Sequence, residues 1–135
     1  MSPITLEQYF GRFSDKATTL QHVNADGLLR LVNALLIAAY DAGIRLPVNP
    51  ATGSLISGAK YGGFRLRDCP EGAPDSSHKE ARGIDIYDPV GYLDNWLTDD
   101  ILKSYGLYRE HPASTRGWCH LTDRAPRSKN RTFYP

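Results

Sequence analysis

His78 and Asp85 stand seven positions apart in Ser76-Ser77-His78-Lys79-Glu80-Ala81-Arg82-Gly83-Ile84-Asp85, and His120 lies further on in Trp118-Cys119-His120-Leu121. Imidazole nitrogen and carboxylate oxygen both bind zinc at about 2.0–2.2 Å, and a chain turning at Gly83 can bring the first pair onto one cation. Two histidines and one aspartate leave a fourth tetrahedral position for water, as a catalytic zinc site requires. In a strand, His120 shares a face with Trp118 and Thr122, while Cys119 and Leu121 point the other way. That alternation removes Cys119 as a fourth ligand. On spacing alone, a hydrogen-bonded core histidine and a turn aspartate are the commoner reading of the same residues.

The string SSHKEARGIDIYDP resembles the S-x-H-x-x-G-x-A-x-D signature of the zinc D-alanyl-D-alanine carboxypeptidase family. That family shares its metal geometry with hedgehog domains and the lysostaphin-type peptidases. The histidine-to-aspartate interval is kept, but the glycine is displaced to Gly83, Ala81 stands where glycine is commoner, and Ile84 replaces the small residue before the aspartate. Gly117-Trp118-Cys119-His120 is similar to the family's second motif, a tryptophan-rich strand ending in the third zinc ligand. From Tyr61 onward the chain resembles a compact version found among bacteriophage and prophage lysis or virion proteins. The resemblance implies one Zn2+ on His78, Asp85 and His120. It also implies endolysin-like cleavage of a peptide bond in the stem or cross-bridge of peptidoglycan, as a carboxypeptidase or an endopeptidase.

Further roles follow from the same resemblance. Family members carry a Ser-Gly-Tyr-Arg-like motif whose arginine stabilises the oxyanion, and both Ser57-Gly58-Ala59-Lys60 and Gly62-Gly63-Phe64-Arg65 are similar to it. Arg65 is the better match, since guanidinium is permanently charged and donates two parallel hydrogen bonds; Lys60 is the second. Ser77 resembles the family serine that holds substrate or orients the loop, and Trp118 and Tyr87 are expected to line the cleft or pack beneath it. Many relatives place an acid three positions before the last zinc histidine, where this chain has Gly117, or a histidine two before, where it has Trp118. The nearest groups able to take a proton from water are Glu110 and His111. A strand-loop-strand hairpin would return Glu110 beside His120, so Glu110 is the expected base and His111 its alternative. The missing acid at Gly117 equally suits a rival reading: a non-catalytic virion component or wall-binding module that keeps the fold, with or without the metal. A hedgehog-like interaction domain is a third.

The elements that must position these residues are legible in outline. Leu28, Val32, Leu35, Leu36 and Ala39 recur at helical spacing, so Asn24 to Ala42 reads as the main helix, with Asn24 as N-cap and Gly43 as stop. His22 precedes it as a surface residue. Pro47 to Ser77 is rich in glycine and proline and reads as strand fragments in long loops. Gly83–Tyr87 reads as a strand with Ile84 and Ile86 on one face and Asp85 and Tyr87 on the other. Asp88-Pro89 reads as the start of a helix carrying Tyr92, Leu93, Trp96 and Leu97, and Thr98 caps another that ends at Gly106. Leu107–Arg109 and Trp118–Thr122 complete the strands, and Phe133-Tyr134 dock the tail. The expected class is α+β: a single domain over 1–135 with a small, mostly antiparallel sheet and flanking helices, hedgehog- or D-Ala-D-Ala-peptidase-like.

Bulk properties narrow the partners. A chain of 135 residues can bury a core without disulfides, and two cysteines, Cys69 and Cys119, read as reduced thiols. A net charge of +1 offers no general case for nucleic acid. The basic tail of Arg124, Arg127, Lys129 and Arg131 reads either as solvated or as a contact for an anionic glycan polymer. The apolar run Leu28–Tyr40 falls short of the roughly 20 residues of a membrane span, so no membrane insertion is expected. No signal peptide is visible at the start. The expectation is synthesis in a host cytoplasm and action in the wall or periplasm after release, or carriage in a virion beside other phage proteins.

Overall fold

A computed structural model describes residues 3–135. Two Thr-x-x-Gln capping boxes open the fold. Thr5 with Gln8 starts α1 (Leu6–Phe10), and Thr18 with Gln21 starts α2 (Thr19–Asp41). The expected N-cap, Asn24, therefore lies inside α2. The first turn escapes the helical stripe because Leu20 and Val23 face solvent. His22 is consequently a helical residue, its ring 4.4 Å from that of Phe10 and its Nε2 3.1 Å from the Ser14 carbonyl. At 23 residues, α2 is long and apolar enough to cross a bilayer by length and composition. Here its stripe of Leu28, Val32, Leu35, Leu36 and Ala39 is buried in the core.

The sheet follows from four short strands: β1 (Gly83–Tyr87), β2 (Tyr108–Glu110), β3 (Trp118–Thr122) and β4 (Thr132–Phe133). Their spatial order is β1-β3-β2-β4, with β3 antiparallel to both neighbours and β4 parallel to β2. The expected class holds: this is an α+β fold with a mostly antiparallel sheet. One face carries Ile84, Ile86, Cys119 and Leu121, all fully buried against the α2 stripe and Leu93, Leu102 and Leu107. Period-two alternation leaves Asp85, Trp118, His120 and Thr122 on the opposite face. The glycine-rich segment runs along the outer edge of β1, where Ile56 bridges Ile86, and Ser57 N–H donates to the Asp85 carbonyl over 2.8 Å.

Beyond β1 come α3 (Tyr92–Trp96) and α4 (Asp99–Ser104). Pro89 does not open α3 as expected. It sits in the preceding turn, which closes at Gly91 with φ 82°, while the Asp88 carboxylate accepts the N–H groups of Leu93 and Asp94 at 3.2 and 3.0 Å. Thr98 caps α4 as its sequence indicates. Arg109, buried beneath the sheet, ties β2 to α3 through the Asp94 carboxylate at 3.2 Å. Cys69 and Cys119 are both buried free thiols.

The two N-terminal helices hold the loop before β1. Gln21 Nε2 donates to the Lys79 carbonyl over 3.1 Å and Asn24 Nδ2 to the Glu80 carbonyl over 3.0 Å. Tyr9 donates its hydroxyl to the Gly83 carbonyl over 2.8 Å, and burial pushes its phenol well above the ordinary value, keeping that donor protonated. Thr18→Ala removes the cap of α2 and is expected to lower stability by about 1 kcal/mol. The check is a lower urea midpoint at unchanged slope.

Candidate metal centre

β1 and β3 pair so that Asp85 and His120 are direct partners across the ladder. Both side chains rise from the same face, and His120 Nδ1 lies 2.8 Å from Asp85 Oδ1. His78 comes from a 3-10 turn, Ser77–Glu80, that packs over the start of β1. Its Nε2 lies 3.2 Å from the same Asp85 oxygen, and the two imidazole centroids are 5.0 Å apart. All three residues are buried, and one ligand atom from each falls within 4.8 Å of the others. Among the described residues this is the group of acidic, histidine and cysteine side chains arranged to hold a metal ion.

The turn reaches this position through two backbone features. Ala81 adopts the left-handed conformation with φ 59°, which closes the 3-10 turn. The turn expected at Gly83 therefore falls two residues earlier. Gly83 itself begins β1, and its missing side chain has another cause. A Cβ there would stand 2.2 Å from Ser77 Oγ. Gly83 is thus a space requirement, and it lets Ser77 lie against His120 Nε2 at 3.4 Å.

The chemistry of the donor set fits a cation. His78 Nδ1 is 2.7 Å from the Gly63 carbonyl, which only accepts, so Nδ1 carries the proton. A neutral His78 therefore presents a bare Nε2 to an Asp85 carboxylate oxygen. Two electron-pair donors so close repel unless a proton or cation lies between them. Ligands held at about 2.0–2.1 Å around a tetrahedral ion sit roughly 3.3 Å apart, near the His78–Asp85 spacing. Orientation of a ligating imidazole by a backbone carbonyl is the usual supporting arrangement around such ions. With no cation in place, burial alone pushes the Asp85 carboxyl up, but the charge of protonated imidazoles, His78 first, and their N–H donors outweigh it and hold the group well below the usual carboxylate range, so a positive charge is what this position favours.

Around the cluster lies a cavity of about 650 Å³ whose lining includes Arg65, Ser77, Glu110, Trp118 and Phe133 beside the three ligands. Arg65 Nη2 is 3.4 Å from Asp85 Oδ2, and its Nε donates to the Tyr61 carbonyl over 2.8 Å, so the guanidinium is fixed at the edge of the site. Glu110 reaches the cavity from β2. The register pairs Tyr108 with Thr122 and Arg109 with Leu121, and one further step sets Glu110 across from His120. Lys60 lies outside this cavity and lines an adjoining one with Arg65, Asp85 and Trp118.

Two expected residues are not brought in. His111 accepts the Ala113 N–H at its Nδ1 over 3.1 Å, and its ring stacks on Tyr134 at 4.5 Å, so it anchors the tail. Tyr87 pairs with Trp118 across the ladder but lines neither cavity. Cys119 faces the core, where burial pushes its thiol well up. The basic tail is partly absorbed by the fold. Arg124 pairs with Glu80 at 3.0 Å, and Arg131 lies over the Tyr108 ring at 4.2 Å. Glu71 and the tail residue Pro135 are site elements with no motif of their own, while Gly63 of the Gly62–Arg65 motif enters through its carbonyl and Phe133 of the docked tail lines the cavity.

The protein is expected to bind one divalent ion per chain, with stoichiometry falling to near zero in His120→Ala and Asp85→Asn, as read by equilibrium dialysis. At a free ion concentration 1,000 times Kd, folding should gain about 4.1 kcal/mol. Gly83→Ala should lose about 1–3 kcal/mol through overpacking against Ser77, and weaken the ion with it. Compared with protein-family models, curated proteins and solved structures, the chain matches none.

Proposed function

We propose that this chain is a zinc-dependent peptidase that hydrolyses a peptide bond in bacterial peptidoglycan. The observation that carries the reading is the convergence of His78 Nε2, His120 Nδ1 and Asp85 Oδ1 in a cavity that Glu110 and Arg65 also line. Two nitrogen donors and one oxygen donor with an open side suit zinc in a hydrolytic site. The substrate class comes from the likeness of His78–Asp85 and Gly117–His120 to the motifs of D-alanyl-D-alanine carboxypeptidases. When bound, the ion supplies the Lewis acidity that makes water a nucleophile at neutral pH and polarises a carbonyl.

The chain's own groups do the rest. Glu110, facing the site from the strand beside His120, accepts the proton of the attacking water and returns it to the departing amine. Arg65 donates to the oxyanion as the carbonyl carbon becomes tetrahedral. Asp85, with the Gly63 carbonyl on His78 and the Ser77 hydroxyl on His120, holds the centre rigid. Trp118 forms a wall against which the substrate backbone lies.

One observation favours a second reading, a virion or wall-binding module without catalysis. Gly117, where relatives carry an acid, has φ 93°, and the space that a Cβ would enter there is open to 4 Å. Digestion of purified peptidoglycan separates the two readings. Metal-loaded protein should release new amine ends, chelation or His78→Ala should abolish them, and Glu110→Gln should slow them about 10²–10⁴-fold while the ion stays bound. Arg65→Ala should cost about 10²–10³-fold. Wall lysis that survives exhaustive chelation would remove the metal from the mechanism; intact wall with metal bound would leave the binding module.

A further inference from the structure

We infer that the site takes a peptide running through it on both sides of the scissile bond, so that cleavage is internal, within cross-linked or extended stem peptides. This rests on the peptidase reading and narrows it to an endopeptidase. The space around the metal cluster continues past its Asp85 edge. On one side lies the 650 Å³ cavity, reaching past Glu110 and Thr122 to Arg127, Phe133 and Pro135. On the other, a cavity of about 380 Å³ is lined by Ser57, Ala59, Lys60 and Glu71. The two share Arg65, Asp85 and Trp118, so they adjoin at the Asp85 edge of the cluster, while His78 and His120 line the first cavity alone. Each volume alone falls in the range that accommodates a small ligand.

The second cavity is not closed behind the site. Ser57, Ala59, Lys60 and Gly62 also line a third space of about 950 Å³, which continues toward α1 and Arg12. An enzyme that trims chain ends needs a wall that stops the substrate and a cation there for the terminal carboxylate. Of the cations in the second cavity, Arg65 is held by the Tyr61 carbonyl and Asp85. Lys60 is exposed and stands where the cleft continues, with the carboxylate of Glu71 lining the same cavity. At the far side of the first cavity, Arg124 is paired with Glu80, and Arg127 stands on the exposed rim. Neither direction ends in a carboxylate pocket. Both ends are open.

The test offers the zinc-loaded full chain three probes: a stem peptide with a free D-alanine carboxylate, the same peptide as its C-terminal amide, and a cross-linked muropeptide dimer. Products are read by mass spectrometry. Internal cleavage of the amide and the dimer at rates similar to the free acid supports the inference. Removal of single residues from the free acid, with the amide slower by about 10- to 100-fold for the lost charged contact, overturns it. A readout independent of turnover comes from titrating the dimer into zinc-loaded Glu110→Gln and following amide shifts by NMR. Shifts at both Ala59–Glu71 and Thr122–Phe133, and weaker binding when Ala59→Trp is added, are expected. Shifts confined to one side, or none, overturn the groove. No cleavage of any probe with shifts on both sides would sink the peptidase reading and leave the groove standing.

Discussion

The pairing of β1 with β3 is the constraint on which the rest of the structure depends. Strand side chains alternate, so the register that puts Ile84 and Ile86 into the core also fixes where Asp85 points, and Leu121 and Cys119 do the same for His120. A one-residue slip of β1 would drive Asp85 into the apolar layer and lift Ile84 and Ile86 into the cleft, and the same slip of β3 would bury His120 and lift Cys119 and Leu121. Hydrophobic burial therefore enforces the chemistry on the other face. The direct Asp85–His120 partnership is a consequence of four apolar residues choosing their side of the sheet.

The third ligand is held differently, because His78 lies on no strand. Its placement is assembled from the N-terminal half of the chain. Gln21 and Asn24 of α2 grip the Lys79 and Glu80 carbonyls, Tyr9 of α1 accepts the Phe64 N–H at 3.1 Å, and the adjoining Gly63 carbonyl sets the imidazole. Gly63 must be glycine for this approach, since a Cβ would stand 2.3 Å from the Tyr9 carbonyl oxygen. Two helices that contribute no ligand thus decide which nitrogen of His78 faces Asp85. The cluster joins distant parts of the chain, so an ion bound there would couple folding to metal concentration.

These two kinds of support explain what is legible in the sequence. Periodicity carries the α2 stripe, the strands around Asp85 and His120, and hence the face each ligand occupies, because repeating burial leaves a repeating trace. It misses the first turn of α2, where Leu20 and Val23 are exposed and only the Thr18-Gln21 box marks the start. It misassigns Gly83, because a glycine required for space looks in sequence like one required for a turn. The left-handed residue is Ala81, a type that gives no such signal. Glu71 and Pro135 join the site through long-range packing, which local spacing does not encode. His111 borrows its expected place near the cluster from its neighbour Glu110. It sits past the end of β2, however, where alternation no longer applies and capping and stacking claim the ring.

On the peptidase reading proposed above, Glu110 would supply the base from a position other than Gly117, where the carboxypeptidases that the motifs resemble carry an acid. Gly117 has a left-handed φ of 93°, and its carbonyl accepts the Asp88 N–H at 3.1 Å, so it shapes the entry to β3. A glutamate there would be strained whatever space it found. The neighbouring strand offers another route to the same region. In an antiparallel pair, residues facing each other across the ladder hold their side chains side by side, about as near as any two groups on separate strands can be. One step along the β2–β3 register sets Glu110 opposite His120 and on the cleft face, and the cavity they share keeps that carboxylate in reach of solvent entering the site. A base supplied from across the ladder needs no change in β3 itself. It needs β2 to hold its register, which the buried Arg109–Asp94 pair and the parallel addition of β4 both reinforce.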